Sequence, residues 1–87
     1  MKVSDQKVLV RCVIQRVLRA GVRDKQEDRA RAIQEIRDTI IAAGIPVFSS
    51  SAVYFPDYRG FGPMWYGEAL VILDGQLQHF EVLIKAA

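Results

Sequence analysis

Between Asp5 and Ala20 the apolar residues Val10, Val13, Ile14, Val17 and Leu18 return at intervals of three and four, opposite a stripe of Lys7, Arg11, Gln15 and Arg19. This is the period of an amphipathic helix. The β-branched density of residues 7–14 keeps a strand open as an alternative there, which would make the element order β-α-β-β-β. Val8, Leu9 and Cys12 widen the apolar surface beyond one stripe, so this first element is expected to be covered on two sides. Cys12 itself reads as a small buried hydrophobe among Val8, Leu9, Val13 and Ile14.

A second helix follows. Asp24 and Glu27 have capping-box spacing, and Ala30, Ile33, Ile36, Ile40 and Ile41 form the expected buried stripe. Glu27, Arg31 and Glu35 are spaced for ion pairs on the wet side. The stop is written in Gly44, which can turn left-handed, in Ile45, which can fold back on the last turn, and in Pro46, which cannot continue a helix.

After Pro46 the texture becomes strand-like. Val47-Phe48 and Ala52 to Phe55 read as one interrupted strand or two short ones, parted by Ser49-Ser50-Ser51. Residues 64–73 and 76–85 flank Asp74-Gly75, a strong signal for a two-residue hairpin turn. In that register Ile72 faces Leu77, Leu70 faces His79, Glu68 faces Glu81 and Tyr66 faces Leu83, while a three-residue bulged turn would shift the pairing by one residue. The opposite face, with Trp65, Ala69, Val71, Phe80, Val82 and Ile84, is the expected core side. The expected fold is α+β: two N-terminal helices packed on one face of a three-stranded, mostly antiparallel sheet that ends in a β-hairpin.

At 87 residues the chain supports one small core, with about 60% of its unfolded surface buried, so residues 1–87 are read as a single domain. No apolar run approaches the ~20 residues of a membrane span, and Met1 to Asp5 leads directly into polar residues, which points to a cytoplasmic protein. A single cysteine excludes an internal disulfide. The charge is uneven: ten Lys/Arg against six Asp/Glu in residues 1–44, and two against four in residues 45–87. Arg11, Arg16, Arg19 and Arg23 are therefore the candidate contacts for an anion or nucleic acid, although a net +2 is far below that of a dedicated non-specific DNA binder.

Catalytic assemblies are each short of a member. There is one histidine, no Gly-x-Ser-x-Gly elbow and no second cysteine, so no enzyme activity, cofactor or metal is expected. In the two-residue-turn register Glu68, His79 and Glu81 share a face, and their side chains are expected to splay into water.

Six of the eight aromatic residues lie between Tyr54 and Tyr66. Arg59-Gly60-Phe61-Gly62 resembles the first half of the RNP1 signature of RNA-recognition motifs. Pro63 stands where that motif has a stacking aromatic, and the 21 residues after Tyr66 leave no room for the rest of that fold, so the match is read as chance. What remains is a Gly/Pro-shaped aromatic loop in which Tyr58, Arg59, Phe61, Trp65 and Tyr66 are the candidate binding residues. The functional expectation is a small non-enzymatic interaction protein that binds a protein partner through this loop. Such stand-alone domains are common among phage and plasmid accessory proteins, including inhibitors of host defence. The alternative is nucleotide or single-stranded nucleic-acid binding, by aromatic stacking with Arg59 on phosphate. Surplus apolar surface on the first helix, or an unpaired sheet edge, offers a route to a homodimer or higher oligomer.

Overall fold

The structure, a computed structural model, describes residues 1–20 and 26–86. Two helices, α1 (Val3–Arg19) and α2 (Gln26–Ala42), precede three strands, β1 (Val47–Phe55), β2 (Met64–Leu73) and β3 (Gln76–Lys85). The strands form one antiparallel meander in the order β1-β2-β3. Residues 7–14 are helical, which removes the strand alternative. No helix among the described residues is long and apolar enough to cross a membrane.

Both helices pack on the sheet, α1 over β2 and β3 and α2 over β1. The α1 stripe Val10, Val13, Ile14, Val17 and Leu18 is buried in full, opposite the side of β2 that carries Trp65, Ala69, Val71 and Leu73. Gly67 makes the close approach. A Cβ at that position would stand 2.7 Å from Ile14 Cγ2 and 2.9 Å from Leu18 Cδ1, so only glycine lets α1 settle this near the strand.

On α2 the buried stripe is Ala32, Ile36 and Ile40, with Ile33 half-buried. Ala30 and Ile41, expected in that stripe, are exposed. The helix is apolar over a wider arc than the one side it presents to β1 and α1, so Ile41 faces outward beside the turn into β1. Arg31 pairs with Asp28 at 2.6 Å, an i, i+3 contact. The expected capping box rests on Asp24, outside the described residues. The helix stop is as expected: Gly44 has φ +86°, its N–H donates to the Ile41 carbonyl, and Ile45 N–H reaches the Ile40 carbonyl. Ile45 is buried, completing a Schellman cap.

Two expectations are corrected. Ser49 to Ser51 do not interrupt β1, because their backbone pairs with β2 and Ser50 Oγ donates to the Ile33 carbonyl at 3.1 Å. The irregularity falls earlier, between Val47 and Ser49, where the register shifts and Phe48 is left 68% exposed. Cys12 is exposed rather than buried, because it lies on the flank of α1 away from the sheet. It borders an open groove of about 610 Å³ between α1 and α2, with Val8, Leu9, Arg16, Thr39 and Ala43. The second covered side expected of α1 is thus open, and Val8 remains 58% exposed.

The Asp74-Gly75 turn has φ of +53° and +73°, and the hairpin register is the one read from the sequence, Ile72 to Leu77 through Tyr66 to Leu83.

Candidate functional site

With both helices on one side, the other side of the sheet has no covering element among the described residues. Strand alternation sends Val53 and Phe55 of β1, Met64, Tyr66, Glu68, Leu70 and Ile72 of β2, and Leu77, His79, Glu81 and Leu83 of β3 to this open face. Val53, Ile72, Leu77 and Leu83 are exposed there.

Its centre is polar and organised. The Tyr66 hydroxyl donates to Glu68 Oε2 at 2.9 Å, and His79 Nε2 lies 2.9 Å from the same oxygen. His79 Nδ1 is 3.2 Å from Glu81 Oε1. A histidine with both ring nitrogens against carboxylate oxygens can donate to both only as imidazolium. These side chains therefore do not splay into water as expected; they close on one another across β2 and β3. The bond from His79, and then that from Tyr66, hold the Glu68 carboxyl below its ordinary value. Partial burial, followed by the bond to Glu68 and the nearby carboxylate charges, pushes the Tyr66 phenol well above its own. Among the described residues no group of three His, Cys, Asp or Glu side chains is arranged to hold a metal ion. The carboxylates here converge on the imidazole, not on a shared vacant point.

The aromatic loop continues this face at one end. Phe55 meets Tyr58 edge-on, with centroids 5.3 Å apart, and the Arg59 guanidinium lies 5.3 Å from the Tyr58 ring centroid. Two backbone bonds pin the loop, Phe61 N–H to the Tyr58 carbonyl and Tyr58 N–H to the Gly62 carbonyl, both 2.8 Å. Asp57 Oδ1 accepts from Gly62 N–H at 3.1 Å. Between Tyr58 and Phe61 the two central residues, Arg59 and Gly60, have φ of +50° and +84°. Gly60 adopts this freely, whereas Arg59 holds a left-handed conformation that costs a non-glycine residue about 1–2 kcal/mol. Phe61, next in the chain, is 71% exposed.

Of the loop candidates, Tyr58, Arg59, Phe61 and Tyr66 thus lie on or beside one surface. Trp65 does not: it is 2% exposed, fills the core and packs on Tyr54 with centroids 5.2 Å apart. Tyr66 and Trp65 are neighbours on a strand, so exposing one buries the other. The basic candidates diverge. Arg11 lies 5.2 Å from the Phe80 ring centroid on the β3 side of α1, Arg16 lines the groove toward α2, Arg19 is exposed, and Arg23 lies outside the described residues. Arg11, Arg16 and Arg19, carried by α1, lie across the sheet from Tyr66, so these three and the aromatic set do not form one surface. The polar network was missed by sequence reasoning as an organised group, although the two-residue reading of the Asp-Gly turn, which the structure adopts, puts its members on one face.

Comparison of the chain with protein-family models, with curated proteins and with solved structures returns no match.

Proposed function

We propose that the chain is a non-enzymatic interaction protein that engages a protein partner through the Tyr58–Phe61 turn and the adjoining open face of the sheet. The observation that carries this reading is the turn itself. A pinned loop keeps Arg59 in a costly left-handed conformation and Phe61 almost wholly in water, neither of which helps the isolated chain fold. Exposed aromatic and arginine side chains on a pre-ordered backbone lose little entropy on binding, which is how hot spots are built. Val53, Ile72 and Leu83 supply apolar area around the Tyr66–Glu68–His79–Glu81 network, whose acidic members favour a partner bringing a cation. On this reading the place of action is the cytoplasm, where an exposed thiol such as Cys12 stays reduced.

The test is affinity capture from the native cells with wild-type chain and with Phe61→Ser and Arg59→Gly, each first shown to be folded by circular dichroism. The expected result is a defined partner protein retained by wild type and lost from both variants. Capture indifferent to both changes overturns the reading. Capture abolished by nuclease transfers it to nucleic acid.

A further inference from the structure

The sheet has two edges, and they differ in kind. The β1 edge carries a bulge at Phe48, three consecutive serines, and a proline just beyond each end, all of which discourage further pairing. β3 has none of these. It is ten residues long, free of proline and glycine, and pairs with β2 in unbroken register from Gln76 to Lys85.

The turn fixes which backbone groups of β3 point outward. Leu73 and Gln76 flank a two-residue turn and form a hydrogen-bonded pair, and so does every second pair after them: Val71 with Gln78, Ala69 with Phe80, Gly67 with Val82. Ile72 N–H, donated instead to the Pro46 carbonyl beyond β1, agrees with this alternation. The N–H and C=O groups of Leu77, His79, Glu81 and Leu83 therefore face away from β2, along an edge to which no strand of the described residues is added. Their side chains all stand on the open face.

We propose that this edge pairs with the same edge of a second copy, antiparallel about a two-fold axis through Phe80, to give a continuous six-stranded sheet. In that register Leu77 faces Leu83 of the second copy and His79 faces its Glu81, apolar on apolar and base on acid, and each pair occurs twice. Moving the axis to Glu81 sets two Glu81 carboxylates against each other and Lys85 against Leu77. Moving it to His79 stacks two imidazoles. The pattern of charge and apolarity along β3 thus selects both a second copy as occupant and a single register. Across the sheet, Arg11 of each copy lies over Phe80 near the same axis, and this like charge weakens the dimer, so that it forms only as protein concentration rises. Leu83, His79 and Glu81 also border the proposed partner surface, whereas Arg59 and Phe61 take no part in the edge pairing, so Arg59→Gly and Phe61→Ser test the partner without the dimer and Leu77→Glu tests the dimer without the turn.

The experiment is sedimentation of the full chain over a concentration series, with NMR amide exchange at both ends of the series. The expected result is a monomer–dimer equilibrium in which the amides of Leu77, His79, Glu81 and Leu83 become protected as the dimer forms, while those of Gln78, Phe80 and Val82 are protected throughout. Leu83→Lys and Leu77→Glu, both on the open face, should each weaken the dimer about tenfold or more. The double variant, which sets Lys against Glu across the axis, should regain it. A chain monomeric at millimolar concentration overturns the proposal. So does a dimer whose outward β3 amides exchange freely, or a double variant no tighter than the single ones.

Discussion

The two faces of β2 are built from alternate residues of the same ten, yet they answer to different demands. Toward the helices stand Trp65, Gly67, Ala69, Val71 and Leu73, all buried. Toward solvent stand Met64, Tyr66, Glu68, Leu70 and Ile72, none fully buried. The inner set is graded by size, with Trp65 at one end and Gly67 and Ala69 where α1 comes closest. The outer set alternates apolar residues with a tyrosine and a carboxylate that need partners. The inner face is set by volume and the outer by polar satisfaction, so substitutions should cost very different amounts on the two.

The widest separation is between an inner and an outer position of the same strand. Trp65→Ala should cost about 3–5 kcal/mol in denaturant unfolding, as expected for a large core aromatic, while Ile72→Ser on the outer face should stay within roughly 0.5 kcal/mol. Similar losses from both would break the distinction. Next comes Gly67→Val, which should lose about 1–3 kcal/mol by overpacking against Ile14 and Leu18, and an added Ile14→Ala should recover part of that loss in a double-mutant cycle.

The outer face should show itself in acid. Glu68 has a folded-state value below its ordinary 4.5, so its stabilising contribution is complete above that pH and is lost as pH falls through the lowered value. Melting temperature should therefore drop more steeply below pH 4.5 in wild type than in Glu68→Gln. The difference should be under about 1 kcal/mol, because the network is part-exposed. Parallel curves would mean the network contributes nothing. The smallest effect is at the loop. Arg59→Gly relieves the left-handed arginine but forfeits its contact with Tyr58, worth about 0.5–1 kcal/mol at an exposed site, so stability should hold steady or rise slightly.

Sequence legibility followed the same division. The hairpin register, the buried side of α1 and the Schellman stop of α2 were all readable, because each depends on a local rule: a turn that demands positive φ, a helical period, a glycine followed by an apolar residue and proline. The two-helix, three-strand arrangement followed from these. What escaped depended on neighbours distant in sequence. Period alone allowed Ala30 or Ala32 to face inward, and the position of β1 beneath α2 decided for Ala32. Cys12 looked like core because its sequence neighbours are apolar, but α2 leaves that flank of α1 open. Trp65 stood on the expected core side of the hairpin, as found, yet was also counted among the binding candidates of the loop; the same alternation carried into the loop leaves only Tyr66 on the outer face. The left-handed Arg59 had no sequence signal, since turns of this kind favour Gly, Asn or Asp at that position.

The sequential meander bears on how the chain reaches this state. β1, β2 and β3 pair only with neighbours along the sequence, so the sheet can zip up through short loops. α1 is different: its seat at Gly67 lies most of the chain away from Ile14. Closing that long loop is the largest entropic step the topology imposes, so shortening it is expected to speed folding more than shortening any strand connection. The bare strip of backbone at Gly67 is a keyhole in the hairpin that Ile14 and Leu18 of the helix fill.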